Sequence, residues 1–243
     1  MMYRKTVWRT LDLREKQNKP LFADSRQISK VIIAAVKRGE LPIYKNDSLT
    51  TTITLAEFTE NMTMVNEGSD GLTPEQIAAG FDQNEDDDWG PEAPVANQAV
   101  VVSDEFFPKD LYQLEMKEDA VFDKKRSRMY YDIKAITLVV PATLKTNVKL
   151  RGIPVGSFKY SDLVKVFRDH PKEALWINPQ NEAEHKNLAD AFDLRLFSSF
   201  ITKVSNPDNA SLEDINGSPQ LGMLASQNAA NQLIEYEYNL WSY

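Results

Sequence analysis

Between Leu111 and Pro141 the chain carries two runs of alternating side chains joined by a short charged turn. Before the turn, Tyr112, Leu114 and Met116 alternate with Gln113, Glu115 and Lys117. After it, Met129, Tyr131, Ile133 and Ala135 alternate with Tyr130, Asp132, Lys134 and Ile136. A period of two residues marks strands with one buried face. The compact stretch Phe122-Asp123-Lys124-Lys125-Arg126-Ser127 between them predicts an antiparallel hairpin at the centre of a sheet. Lys117-Glu118-Asp119 reads as a charged lead-in that closes the first run. Ile136 to Val140 is apolar on both faces, so that end should be buried on both sides.

The rest of the chain supplies strands and helices around this hairpin. Thr6 to Leu13 reads as a strand, with Val7, Leu11 and Leu13 sharing one face with Arg9, and Trp8 and Asp12 on the other. Asn18-Lys19-Pro20 breaks it. Ser25 is the predicted N-cap of an amphipathic helix marked by Ile28, Val31, Ile32, Ala35 and Val36, with Gly39 at its C-terminal end. Thr50 to Leu55 is β-branched and predicts a strand, and Ala56 to Met62 a short helix. Tyr160 to Phe167 predicts a helix with Tyr160, Leu163, Val164 and Phe167 on one side. Ala174 to Ile177 reads as a short strand, Leu188 to Leu196 as helix, and Phe197 to Val204 fits strand or helix. A long helix runs from Leu221 to Trp241, with Pro219 near its start and Leu233, Tyr236, Leu240 and Trp241 as its apolar stripe. These elements predict an α+β fold, a mainly antiparallel sheet packed by helices, with one long irregular insertion.

That insertion divides the chain. Residues 1–65 form an N-terminal strand-helix-strand part, 66–109 an insertion or arm, and 110–243 the hairpin, helices and long C-terminal helix of the same domain. The arm holds Gly68, Gly71, Gly80, Gly90, Pro74, Pro91, Pro94 and Pro108, a short helix from Pro74 to Gly80, and the acidic run Glu85-Asp86-Asp87-Asp88. Such a stretch is longer than compact domains usually tolerate as loop. Its apolar residues are the candidate partner contacts: Trp89 as an anchor, Val100, Val101 and Val102 as a strand added to a sheet edge, and Phe106 and Phe107 as plugs for a neighbour's groove.

Composition removes several chemistries. The 243 residues carry a net charge of −8, which argues against a nucleic-acid backbone as partner. There is no cysteine, which excludes disulfides, thiolate metal sites and cysteine nucleophiles. With only His170 and His185, no histidine-rich metal site can form; both read as helix-terminal or surface residues. No run reaches the roughly 20 apolar residues of a membrane span. The chain opens MMYRKTVWRT, without a signal peptide, which leaves its compartment open.

Candidate catalytic groups have simpler structural explanations. Asp123, Arg126 and Ser127 suit a turn, where Asp123 accepts backbone N–H bonds and Arg126 pairs with nearby carboxylates. Glu115, Glu118 and Asp119 resemble paired glycosidase carboxylates only loosely, and at a strand end they read as a solvated face. A calcium loop starting at Asp82 needs Gly at its sixth position and Glu at its twelfth, where Asp87 and Ala93 stand. No cofactor or metal is predicted, and no nucleophile elbow or phosphate loop is present. Trp8, Trp176 and Trp241 lie in apolar-patterned segments and read as core.

Four separated motifs carry a resemblance. They are VWRTLDLREKQNKPL from Val7, KEDAVFDKKRSRM from Lys117, NPQNEAEHKNLADAFDLRLFSSFITKVSN from Asn178, and IEYEYNLWSY from Ile234. In this order they resemble the gliding-motility GldN family, also called PorN, of the type IX secretion system. The resemblance implies a non-enzymatic structural subunit of the secretion and gliding machinery. It implies a periplasmic location at the inner face of the outer membrane, a ring built with a GldK/PorK-like lipoprotein and further copies of the chain, and contact with a GldM/PorM-like motor protein. The competing expectation is a periplasmic binding module or carboxylate-based hydrolase on the same fold.

Overall fold

The computed structural model describes residues 3–63, 106–123, 125–126, 128–142 and 152–240. Among them five strands form one antiparallel sheet: β1 (Tyr3–Asp12), β2 (Gln113–Asp123), β3 (Arg128–Val140), β4 (Ile153–Lys159) and β7 (Phe200–Val204), in the order β4-β3-β2-β1-β7. A small second ribbon pairs β5 (Leu175–Trp176) with β6 (Lys186–Asn187). The described helices are α1 (Ile28–Lys37), α2 (Leu55–Asn61), α3 (Tyr160–Asp169), α4 (Leu188–Asp193), α5 (Leu212–Asn216) and α6 (Pro219–Leu240), with a 3₁₀ turn at Lys19–Leu21. The architecture is mixed α+β, as the strand and helix periodicities predict.

The hairpin is the middle of this sheet, and it is longer than its sequence suggests. β2 does not stop at Met116 but runs through Lys117, Glu118 and Asp119 to Asp123. Register pairs Phe122 with Met129 across the turn and Leu114 with Leu138 at the far end. From Ile136 to Val140 every residue is buried, as a segment apolar on both faces requires. One extra residue, Lys134, bulges out of β3 where Lys117 faces Ala135 and Glu118 faces Ile133.

Alternation and register assign the two faces. Val7, Arg9 and Leu11 of β1 share the inner face with Leu114, Met116, Glu118, Ala120 and Phe122 of β2. At one end of this face Leu114, Met116, Ile136, Leu138 and Phe158 join Ile28, Val31, Ile32 and Ala35 of α1, Phe58 of α2, Phe167 of α3 and Phe192 of α4 in the main core. At the other end Val7, Ala120, Phe122, Met129 and Ile201 form a smaller cluster with Leu233 of α6. The outer face carries Thr6, Trp8 and Thr10 opposite Asp119, Lys117 and Glu115.

Local chemistry corrects two expectations. Ser25 is not the cap of α1: it sits at φ 63, and the helix opens behind Gln27, which makes no side-chain cap bond. Thr50 to Leu55 is not a strand. It contributes one bridge, Thr52 to Tyr44, and then Thr54 and Glu57 form a capping box, with Thr54 N–H donating to Glu57 Oε2 at 2.8 Å and Glu57 N–H to Thr54 Oγ1 at 3.3 Å. Those reciprocal bonds satisfy helix-start donors that a strand would have sent sideways. Tyr44, which Thr52 pairs, in turn meets β4, exchanging backbone bonds of 2.8 and 2.9 Å with Ser157. β4 itself contains Pro154 and Gly156, and Gly156 lies so close to Ile43 and Phe58 that a Cβ there would meet Ile43 Cγ2 at 2.9 Å.

Candidate functional site

One carboxylate interrupts the apolar row Leu114, Met116, Ala120, Phe122 on the inner face. Glu118 is completely buried, between the two hydrophobic clusters. Arg9, its neighbour on β1, donates Nε–H to Glu118 Oε1. Arg195 donates Nη1–H to Oε2 at 2.8 Å and Nη2–H to Oε1 at 3.4 Å. Tyr131 of β3 lies beneath both guanidiniums, 5.7 Å from Arg9 and 4.9 Å from Arg195, and the Phe197 ring is 5.3 Å from Arg195. Glu118 is therefore part of a buried ion cluster and not of a solvated face. Asp119 is likewise buried on the opposite face, accepting from Thr6 Oγ1 at 2.7 Å and pairing with Arg4 at 2.7 Å.

Arg195 reaches Glu118 from a strained position. α4 ends in a Schellman motif: Arg195 N–H bonds Phe192 O at 3.0 Å and Leu196 N–H bonds Ala191 O at 2.8 Å. That geometry places Arg195 at φ 53, in the left-handed region. The same motif ends α1 with Gly39 at φ 75, where no side chain is strained. An arginine in this conformation costs about 1–2 kcal/mol that glycine does not incur. The guanidinium's contacts offset it. The loop is pinned from below by fully buried Asn18, whose Oδ1 accepts Ser198 N–H at 2.7 Å while Nδ2 donates to Asp12 O and Ser198 O at 2.8 and 2.9 Å.

The outer face holds a second polar array. Trp8 Nε1 donates to Asp47 at 2.6 Å, and its ring lies 4.0 Å from Lys203 Nζ and 5.3 Å from Lys117 Nζ. Burial pushes the Asp47 carboxyl up, but the bonds from Trp8 and Lys117 and the nearby lysine charges outweigh it and hold it below its ordinary value. Glu115 is opposite: burial raises its pKa, Asp47 adds to the rise, and Lys203 offsets only part. Trp8, Asp47, Glu115 and Lys203 border an open groove of about 490 Å³.

A third surface is α6, which is turned outward. Its inner side is made of small residues, with Gly222 and Ser226 buried and Ala229 and Ala230 half-buried, followed by Leu233. Its larger apolar side chains face solvent: Leu221 52%, Met223 67%, Leu224 54%, Ile234 62% and Tyr238 73% exposed. Met223, Leu224, Ile234 and Tyr238 fall within a stripe about 100° wide on a regular helix. Of the predicted stripe, Leu233 is buried, and Tyr236 stacks on Tyr3 at 4.2 Å. The Leu240 side chain and Trp241 lie outside the described residues. Large apolar side chains on the wet side of a helix are the mark of a surface meant to be covered.

The predicted partner contacts separate. Trp89, Val100, Val101, Val102 and the acidic run lie outside the described residues. Phe106 does not plug a neighbour: it is 7% exposed in its own core, with its N–H bonded to Met62 O at 2.8 Å. Phe107, beside it, is 69% exposed. At the hairpin turn Asp123 accepts Lys125 N–H at 2.9 Å, as a turn aspartate should. Arg126 stacks over Tyr130 at 5.7 Å, a contact not foreseen, and Ser127 lies outside the described residues. His170 caps α3 and its Nε2 lies 2.9 Å from Glu40, while His185 Nδ1 accepts Asn178 N–H at 3.2 Å. Trp8 and Trp176 are half-buried. Among the described residues no group of acidic or histidine side chains could hold a metal ion.

An α+β protein whose polar clusters brace an antiparallel sheet, and whose longest described helix shows apolar side chains to solvent, has the form of a building block. The family comparison agrees: the chain belongs to the GldN family, described as gliding motility associated protein GldN, whose model matches residues 1–242. Comparison with curated proteins finds no match. Membership makes the chain a component of gliding-motility machinery, in a structural protein family. Among the described residues no helix is long and apolar enough to cross a membrane.

Proposed function

We propose that this chain is a structural subunit of the type IX protein secretion and gliding machinery that works by assembly and not by turnover. In this reading it joins a GldK/PorK-like lipoprotein in a periplasmic ring at the inner face of the outer membrane, beside further copies of itself, and meets a GldM/PorM-like motor protein. The observation that carries the reading is the outward apolar side of α6, a face without a function in an isolated subunit. The segment 66–109 is an arm that reaches a neighbour through Trp89, Val100, Val101 and Val102, with Phe107 exposed at its base.

The test is a quadruple substitution, Met223→Ser, Leu224→Ser, Ile234→Ser and Tyr238→Ser, in the native host. The subunit should keep its melting temperature, because these side chains bury little of their surface. The lipoprotein should no longer co-purify from the cell envelope, and secretion should fall. A folded variant that still brings down the lipoprotein and secretes normally refutes α6 as the assembly face. For the arm, limited proteolysis should cut the isolated subunit between Gly68 and Pro94, and assembly should protect it; protection in the isolated subunit refutes the arm.

A further inference from the structure

The helices cover the inner face of the sheet in two parts, and at the seam above the ion cluster they leave a pocket of about 380 Å³. Arg9, Tyr131, Arg195, Ser198 and Ser199 line it, with Gln17 at its rim. Every polar side chain in that set can donate a hydrogen bond. Many donors are unused: among the described residues the terminal nitrogens of Arg9 and the hydroxyls of Tyr131, Ser198 and Ser199 have no hydrogen-bond partner. Burial, ahead of the neighbouring charges, holds the Tyr131 hydroxyl pKa up, so it remains a donor. The sole carboxylate among the ion-cluster residues, Glu118, is occupied by three guanidinium N–H groups. Glu237, whose charge reaches Tyr131, lies on α6, accepts Met129 N–H at 2.8 Å and does not line the pocket.

Charge counting selects the ligand. Two guanidiniums against one buried carboxylate leave one positive charge over. A single carboxylate neutralises it, whereas a phosphate dianion overshoots beside Glu118. Guanidinium forks and hydroxyls also match the planar pair of carboxylate oxygens. We propose that the Arg9–Arg195 pocket binds one carboxylate group from outside the chain, carried by an acidic peptide or by a small organic acid. The strained conformation of Arg195 fits this role, since it aims the guanidinium at Glu118 and at the pocket mouth together. The site does not depend on ring assembly.

The experiment uses the full chain with nitrogen-15 arginine and follows guanidinium resonances, assigned with Arg9→Lys and Arg195→Lys. Acetate is titrated at constant ionic strength against chloride. The Arg9 and Arg195 signals should move together and saturate, while the other arginines stay still. Inorganic phosphate should bind more weakly. Ser198→Ala and Tyr131→Phe leave the Glu118 bonds intact and should each weaken binding by about tenfold, the worth of one hydrogen bond to a charged group. Saturation by an N-acetylated, C-amidated tetraglutamate below the acetate concentration assigns the site to a protein ligand; acetate alone saturating it assigns a small acid. Non-saturating shifts shared by all arginines, tighter binding of phosphate, or unchanged affinity in both hydroxyl variants would overturn the proposal.

Discussion

Replacing Glu118 by alanine leaves two guanidiniums facing one another across the inner face of the sheet. The carboxylate has no solvent exposure, and its loss strands the donors of Arg9 and Arg195. Breaking a fully buried ion pair in this way costs about 3–5 kcal/mol. Here the side chains of Arg9 and Arg195 are 14% and 31% exposed, so both can recruit water through the pocket. That places the expected loss at the low end, about 3 kcal/mol. Glu118→Gln retains size and one acceptor and should lose about 2 kcal/mol. The informative control is the triple variant Arg9→Met, Glu118→Leu, Arg195→Met, which continues the apolar row from Met116 to Ala120. Since apolar replacements of buried charge clusters are often neutral or stabilising, it should recover the stability that Glu118→Ala loses. Urea unfolding followed by tryptophan fluorescence and far-UV circular dichroism measures all three, provided the denaturant slope is unchanged. A loss below about 1 kcal/mol in Glu118→Ala, or a triple variant as unstable as the single one, refutes the account of Glu118 as a buried charge held by its two partners.

Three further outcomes follow from the geometry. Glu115 has a folded-state pKa raised above 4.5 by burial, so its favourable contribution is complete below that value and is lost as pH rises through the raised one. Glu115→Gln should therefore be more stable than wild type at neutral pH, with the difference closing as pH falls toward about 4, near the ordinary carboxylate range; a pH-independent difference in urea midpoint contradicts this. Gly156→Ala places a Cβ 2.9 Å from Ile43 Cγ2 and 3.2 Å from the Phe58 ring, and should cost about 1–3 kcal/mol by overpacking; an unchanged melting temperature means that α2 yields freely. Asp123→Ala removes the acceptor of the Lys125 N–H bond in an exposed turn and should cost at most about 1 kcal/mol without affecting secretion; a stable variant that fails to secrete would make the turn a contact site.

The hairpin was legible because its two runs are long and regular and its turn residues satisfy themselves locally. Its true length was also written in the chain. Leu114, Met116, Ala120 and Phe122 keep the period of two across Glu118, but the charges at Lys117, Glu118 and Asp119 disguise it. Arg195, the main partner of that carboxylate, is 77 residues away in sequence, and no local pattern links them. β4 was hidden by Pro154 and Gly156. Proline is tolerated there because a bulge shifts the register between Leu138 and Val139, which sets Pro154 opposite Val139. Thr50 to Leu55 misled in the other direction, since β-branched residues serve turns and caps as well as strands. The outward side of α6 was missed because its heptad-like spacing does not say which face the small residues occupy.

The charged seam at Glu118 also divides the molecule mechanically. On one side lies the large core; on the other, α6 rests on a small cluster and meets it chiefly through small side chains. Few apolar contacts secure such a helix, so it can open locally while the sheet stays closed. In native-state hydrogen exchange its amides should open at a free energy well below that of β2 and β3. A subunit with this property can reseat its longest helix against a partner without unfolding its sheet.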